Sequence, residues 1–323
     1  MTDAAPATPR ATVVIAAWNA EASIDRAIAS ALRQTLPVEV VVVDDASTDG
    51  TRGRIAALAR ANPALRCIGQ DRNPGPAEAR NRAIEASRAP WIAVLDADDV
   101  MAPDRLERLV RQAEAARLDF LADDIEKVDE ADPDGPRQRL YSDHAIGTID
   151  IDAAAFIRAN LAAGHGDRRE MGFLKPVMRR GFLDRHALRY APLRLGEDYD
   201  LYARALIRGA RFRLTDPCGY LATVRANSLS GRHATQDHAA LMAADRRMLS
   251  QPGLSRETRA ALRAHLLEHH RKWVWRRMID AVRNRDPKAA LACLISPPRV
   301  SADLSRRLLR EGLQRGLRRG GTG

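Results

Sequence analysis

A mostly parallel α/β sheet with helices on its faces, followed by an all-helical C-terminal region, is the fold the sequence predicts. Three observations carry this. Short β-branched runs alternate with amphipathic stretches of about 10–15 residues, the pattern of βαβ units. The runs are apolar throughout rather than alternating, as strands buried on both faces require. From Asp237 onward, helical stretches are separated only by Pro and Gly breaks.

The elements follow in order. Thr12–Ala16 is a β-branched run and reads as the first strand. Glu21–Gln34 sets Ile24, Ala27, Ile28, Ala31 and Leu32 on one helical face. Glu39–Val43 is the second strand, stopped by Asp44-Asp45. Ser47 or Thr48 can cap a helix from Asp49 to Ala61, which Asn62-Pro63 ends. Leu65–Gly69 is a weaker strand. Pro76 opens a helix to Ser87. Trp91–Leu95 is a strand running into Asp96-Ala97-Asp98-Asp99, Pro103–Arg117 a helix, and Asp119–Ile125 a further strand. Val128–Ile146 reads as a loop or hairpin and Asp152–Ala163 as a helix. His165–Arg189 reads as irregular, Glu197–Gly209 as an amphipathic helix and Gly231–Gln236 as a surface loop. Pro252-Gly253, Pro287 and Pro297-Pro298 break the helical C-terminal region.

Composition narrows the function. Of 323 residues, 45% are apolar and 29% charged, a soluble globular balance. Three widely spaced cysteines, Cys67, Cys218 and Cys293, exclude a disulfide scaffold or a Cys-based zinc site and favour a reducing compartment. Met1–Arg10 lacks the apolar core of a secretory signal, and no apolar run approaches the ~18 residues of a membrane span. The net charge of +10 is uneven: residues 251–323 hold 15 Arg and 2 Lys against 6 acids, so a near-neutral body carries a basic tail. That distribution argues against reading the chain as a nucleic-acid binder from its charge alone.

In such sheets ligands bind beyond the carboxyl ends of the strands. Three of the first four strands end in polar clusters, at Trp18-Asn19, Asp44-Asp45 and Asp96-Ala97-Asp98-Asp99. An acidic rim suits a hard divalent cation that in turn binds phosphates, whereas isolated Asp residues serve as turn formers and caps. Neither GxGxxG nor a P-loop follows the first strand, so dinucleotide and P-loop chemistry are unsupported.

Five blocks carry a resemblance. Val13–Asn19, Val41–Thr51, Asn73–Asn81, Leu95–Asp99 and Gly196–Asp200 resemble, in order, the conserved blocks of family 2 glycosyltransferases, which are inverting and have the GT-A fold. The last two look like that family's DXD and ED motifs. The resemblance covers about residues 10–235, and Met171–Pro176 with Leu188-Arg189-Tyr190 is most similar to succinoglycan-type exopolysaccharide glycosyltransferases.

The resemblance implies a Rossmann-like GT-A domain over residues 11–236. Residues 11–125 would form its nucleotide-sugar half and 126–236 its acceptor half. A disordered start, 1–10, and a basic helical region, 237–323, would flank it. It implies a UDP-sugar donor, with Asp45 at the uracil, Ala16 and Trp18 near the base, and Arg80, Asp96 and Asp98 on the donor. Asp98 and Asp99 would hold Mn²⁺ or Mg²⁺, and His233 stands as either a further metal ligand or a surface residue. Asp198 would be the general base, with Glu197 and Lys175 on the acceptor side. The expected acceptor is a glycan or polyprenyl-diphosphate-linked oligosaccharide, the setting cytoplasmic or on the inner membrane face, with no nucleic-acid partner. Two readings stand for Trp273 and Trp275 in the basic tail: an anionic membrane surface, or a helical subdomain that packs its Trp on the body and shows Arg to water. The rival classes are a non-catalytic nucleotide-sugar binder on the same fold and a nucleic-acid binder using the Arg-rich tail.

Overall fold

The computed structural model describes residues 8–132, 135–161, 171–224 and 233–320, with 312–320 as backbone only. The chain divides into two units, Met1–Leu229 and Ser230–Gly323.

The first unit opens as the sequence predicts. β1 (Ala11–Ala17), α1 (Ile24–Leu32), β2 (Val38–Asp44), α2 (Thr51–Ala61), β3 (Leu65–Gly69), α3 (Pro76–Glu85) and β4 (Trp91–Val94) alternate strand and helix. Then come β5 (Val100–Met101), α4 (Arg105–Ala115), β6 (Phe120–Asp123), β7 (Glu126–Asp129), β8 (Gln138–Arg139), β9 (Thr148–Ile151) and α5 (Ala153–Ala159). A 3₁₀ turn at Met171–Phe173 leads to β10 (Val177–Arg179), α6 (Arg180–Arg185), α7 (Glu197–Ile207), β11 (Phe212–Thr215) and β12 (Tyr220–Val224).

Eight strands form the main sheet in the order β3-β2-β1-β4-β10-β6-β11-β9. β1 pairs in parallel with both β2 and β4, so the chain reverses its direction of travel across the sheet there. At such a reversal, open α/β sheets place their ligands beyond the carboxyl ends of the adjacent strands. Val13, Val14, Ile15, Val40–Val43 and Ile92–Val94 are fully buried, which is why these strands lack alternation. A smaller sheet, β5-β12-β7-β8, flanks the carboxyl end of β4.

Several expectations need correction. The stretch expected to be irregular contains β10, which lies antiparallel between β4 and β6 and interrupts the parallel sheet. Three residues are too few to show a period, so no local signal marks this strand. β9, β11 and β12 were not expected either. Ser47 does not cap α2: its hydroxyl accepts the Asn19 N–H (3.0 Å), and Asp49 accepts the Thr51 N–H (3.0 Å) instead. Asp152 caps α5 as a carboxylate should, taking the Ala155 N–H at 2.7 Å, but the helix stops at Ala159 rather than Ala163. Of the expected loop at 231–236, Gly231 and Arg232 lie outside the described residues, and a helix already begins at Thr235. The expected disordered start falls mostly outside them too.

The second unit is helical: α8 (Thr235–Leu249), α9 (Arg256–Arg283), α10 (Pro287–Leu294) and α11 (Pro298–Gly320), broken at the Pro and Gly positions expected. Val274, Met278, Cys293, Val300 and Leu304 form its buried apolar cluster, with Trp273 and Trp275 partly buried against it. Arg277 stacks over Trp273 (5.1 Å) and Arg307 over Trp275 (5.9 Å). The Trp pair thus packs against the helical unit's own apolar cluster. No helix among the described residues is long and apolar enough to cross a membrane.

Between α8 and α9 lies a buried polar cluster. Asp245 and His265 are 2.8 Å apart, and the Nδ1 atoms of His238 and His269 3.2 Å. Burial, reinforced by Lys272, His233 and Arg276, lowers the His238 imidazole to about 4. An unfolded histidine titrates near 6.5. The neutral-His238 contribution to stability is therefore complete above pH ~6.5 and is lost as pH falls from there to about 4. The thermal midpoint is expected to drop across that window, and His238→Gln to flatten the drop. Parallel profiles for the two proteins would remove His238 as the cause.

Candidate active site

The loops after β1 and β2 are tied together. Asn19 takes a left-handed backbone (φ 48°), which Asn tolerates, and its Oδ1 accepts the Thr48 N–H at 2.9 Å. Ala46 is also left-handed (φ 57°), a strained conformation for alanine that costs on the order of 1 kcal/mol. Asp45 is buried below this turn and accepts Gln70 Nε2 and the Gly75 N–H, each at 3.0 Å. Gly75 has φ 106°, which only glycine adopts readily, and this aims its N–H at Asp45 just before Pro76 starts α3. Burial pushes the Asp45 carboxyl up, against the Gly75 hydrogen bond that lowers it. Ala16 is the penultimate residue of β1, and Trp18 stands half-exposed just beyond the strand.

The central feature is a cluster of two cations and three carboxylates. Arg80 lies on the buried face of α3 and is itself buried. Its guanidinium reaches Asp96 (2.7 Å), Glu197 (3.0 Å) and Asp198 (3.2 Å). Lys175, also buried, joins Asp198 (2.8 Å) to Asp96 (3.2 Å). The end of β4, the start of β10 and the first turn of α7 thus meet on one pair of cations. Burial would raise the Asp96 carboxyl, but Lys175 and Arg80 outweigh it and hold it at about 2. Glu197 is pushed up, first by burial and then by the adjacent Asp198.

Asp99 is held differently. Its carboxylate accepts the Tyr220 hydroxyl and the Thr223 N–H, both at 2.8 Å. Burial, with Asp96 and Asp98 as like charges, raises it to about 7. Tyr220 also accepts the Asp96 N–H (3.2 Å), so one hydroxyl fixes both ends of the Asp96–Asp99 turn. Beneath it, Arg105 and Asp123 form a fully buried ion pair at 2.6 Å. Asp123 accepts the N–H groups of Cys218 (3.1 Å) and Tyr220 (3.3 Å), and Arg105 donates to the Lys175 carbonyl at 2.7 Å. That one pair supports both the Asp99 side and the Lys175 side of the site.

Sequence reasoning missed this support. Arg105, Asp123 and Tyr220 give no motif: Arg105 and Asp123 lie 18 residues apart, and Tyr220 lies 121 and 124 residues from Asp99 and Asp96. Asn81 has a signal, since it follows Arg80 in a quoted block: its side chain donates to the Tyr190 carbonyl and accepts the Tyr190 N–H, both at 2.9 Å. This fixes the Tyr190 ring 5.4 Å from the Arg80 guanidinium. Asp198, Glu197, Arg80, Asp96 and Lys175 are brought together, Asp99 and Asp98 flank them in the same turn, and Asp45 with Ala16 and Trp18 belongs to the neighbouring loops. His233 belongs to the second unit.

This mostly parallel sheet, with acids at the ends of β2 and β4 and on α7, is the GT-A architecture, and the protein is a glycosyltransferase. Residues 12–176 match the glycosyl transferase family 2 model, and the chain belongs to that family. It is 44% identical over 281 residues to succinoglycan biosynthesis protein ExoU of Rhizobium meliloti (strain 1021), covering 87% of this chain and 80% of that protein. It is 40% identical over 250 residues to succinoglycan biosynthesis protein ExoO of the same strain, covering 76% and 70%. Among solved structures it is similar to S. aureus TarS 1-349 in complex with UDP-GlcNAc (TM-score 0.63, 16% identity, 88% and 90% covered). It also resembles the mannosyltransferase PcManGT of Pyrobaculum calidifontis in complex with GDP-Man and Mn²⁺ (TM-score 0.55, 20% identity, 97% and 82% covered). At these identities the two structures speak for the fold.

Proposed function

We propose that this glycosyltransferase moves a sugar, a hexose such as glucose, from a UDP-sugar to a glycan or polyprenyl-diphosphate-linked oligosaccharide in exopolysaccharide assembly, with inversion. The observation that carries the reading is the convergence of Asp198 with Arg80, Lys175 and Asp96 at the carboxyl ends of β1 and β4. The names of ExoU and ExoO support the exopolysaccharide setting, and the nucleotide-sugar complexes of TarS support the donor class. The cytoplasmic face of the membrane, where nucleotide sugars are available, is the setting this reading requires.

On this reading Asp45 accepts the uracil imide proton while Trp18 covers the base. The acceptor hydroxyl attacks the anomeric carbon, its oxygen forming the new bond as the bond to the diphosphate oxygen breaks. Asp198 takes the hydroxyl proton, and UDP leaves. Arg80 and Lys175 orient Asp198 by hydrogen bonds at 3.2 and 2.8 Å. Glu197, in the same first turn of α7, faces the acceptor with Lys175 behind it.

The donor set fits a divalent cation of the Mn²⁺ or Mg²⁺ kind. Asp98 and Asp99 offer hard carboxylate oxygens; Asp99 is raised first by burial and then by the like charges of Asp96 and Asp98, a repulsion that a cation relieves. An ion there would be completed by phosphates and water. Bound there, the cation would neutralise charge developing on the leaving diphosphate. Activity is expected to need Mn²⁺ or Mg²⁺, and Asp99→Ala to abolish metal-dependent UDP binding measured by calorimetry. Full transfer in excess chelator would refute this assignment. Donor hydrolysis by the wild type, with each nucleotide sugar in turn, distinguishes a catalyst from a mere binder and identifies the sugar.

A further inference from the structure

Among the described residues of the helical unit, α10 carries a run of exposed apolar side chains. Helix α10 packs inward through Cys293, which is buried, and Ala290. Its other side carries Leu291, Leu294 and Ile295, at 59%, 45% and 80% exposure. Leu291 and Leu294 are spaced i, i+3 on one side of the helix, and Ile295, its C-cap residue, follows directly. Isolated exposed aliphatic residues are ordinary, but three gathered at the end of one short helix form a patch.

Charge around this strip is one-sided. Arg283, Arg285, Lys288 and Arg299 flank it in sequence, all exposed, against one carboxylate, Asp286. Asp286 is engaged in capping α10, accepting the Ala289 N–H at 2.9 Å. A second copy of the chain would bring the same cations to this face, and like charges would oppose a self-complementary contact. An acidic protein would satisfy the cations but would not by its charge explain the bare aliphatic strip. A bilayer surface with anionic headgroups satisfies both: cations meet the headgroups while leucine and isoleucine enter the acyl boundary. α10, eight residues long, is far too short to span a bilayer and would lie in its plane.

We propose that α10 is a docking element for anionic lipid, inserting Leu291, Leu294 and Ile295 at the membrane surface between flanking Arg and Lys side chains. The inference stands apart from the donor and metal reading, because none of these residues belongs to the site around Asp198.

Co-sedimentation of the full chain with vesicles tests it. Wild-type protein is expected to sediment with phosphatidylglycerol-containing vesicles at low salt, far less with pure phosphatidylcholine, and to be released by high salt. Leu294→Ser/Ile295→Ser, which leaves the charge unchanged, is expected to reduce partitioning roughly tenfold or more, given the apolar area withdrawn. Lys288→Glu/Arg299→Glu is expected to reduce it comparably. Thermal midpoint and donor hydrolysis, measured on the same variants, should stay at wild-type levels, so lost binding is not misfolding. Absence of sedimentation with either vesicle would overturn the proposal. So would unchanged partitioning of the Ser variant, which would mean charge alone binds. A shift in oligomeric state by light scattering caused by the Ser variant would assign the face to a second copy.

Discussion

Replacing Asp198 with Asn is expected to lower sugar transfer by about 10²–10⁴-fold, the usual cost of removing a general base. Asn keeps the shape and can still accept a hydrogen bond, but it cannot take the acceptor proton. UDP-sugar binding should survive, because Asp45 and the turn around it lie in separate loops. Stability should not be untouched. Asp198 is a carboxylate partner of both buried cations, and its loss leaves Lys175 with Asp96 and Arg80 with Asp96 and Glu197. Since partners remain, the midpoint should fall by only a few degrees, less than for a buried charge left alone. Glu197→Gln should reduce transfer less. Rapid-quench kinetics beside donor binding by calorimetry separates the outcomes. Near-wild-type transfer by Asp198→Asn would make the residue a structural partner of Lys175 and move the base elsewhere. Loss of donor binding would move Asp198 into the donor site.

Arg105→Met is expected to cost about 3–5 kcal/mol of stability, the largest effect of any single change considered, because it leaves Asp123 charged and fully buried without its partner. For a unit of this size that corresponds to a fall in thermal midpoint on the order of 10 °C. Removing both charges, Arg105→Met with Asp123→Leu, should recover only part of it. Asp123 also accepts the Cys218 and Tyr220 N–H groups, and these would become buried, unpaired donors. Arg105→Lys should fall between, keeping the charge but not the several contacts a guanidinium makes at once. Calorimetric melting of the four proteins checks the order, and a wild-type midpoint for Arg105→Met would show that the pair contributes little net stability. Activity of folded Arg105→Lys at low temperature is expected to be reduced as well, since the same guanidinium holds the Lys175 carbonyl at 2.7 Å.

The parts legible in the sequence are those written locally. The strand runs Thr12–Ala16, Glu39–Val43 and Trp91–Leu95 announce themselves because burial on both faces demands an unbroken apolar run. The α3 start is legible because Gly75 and Pro76 have backbone roles of their own, and the acid blocks are legible because each sits within a few residues of a strand end or helix start. The helical region was divided correctly wherever Pro or Gly interrupts hydrogen bonding. β10 was not legible: Val177–Arg179 has no period to read, and only its place between β4 and β6 makes it a strand. The contacts of Lys175, expected on the acceptor side, were not legible either: it is buried between Asp96 and Asp198, a pairing no spacing encodes. Trp273 and Trp275, equally suited by composition to a membrane or a core, are packed within the helical unit, and the exposed strip falls on α10 instead.

By itself the sequence determined the first half of the sheet, the order of the acidic blocks, the helical C-terminal region and the class of enzyme. Those features depend on neighbours within about one helical turn or one strand, where spacing and side-chain type suffice. Only the tertiary structure decided which charges meet. Arg80 lies 117 and 118 positions from Glu197 and Asp198, and Tyr220 lies 121 positions from Asp99. Such pairs form because strand order brings distant chain ends to one edge of the sheet, where burial removes water and makes each ion dependent on its partner.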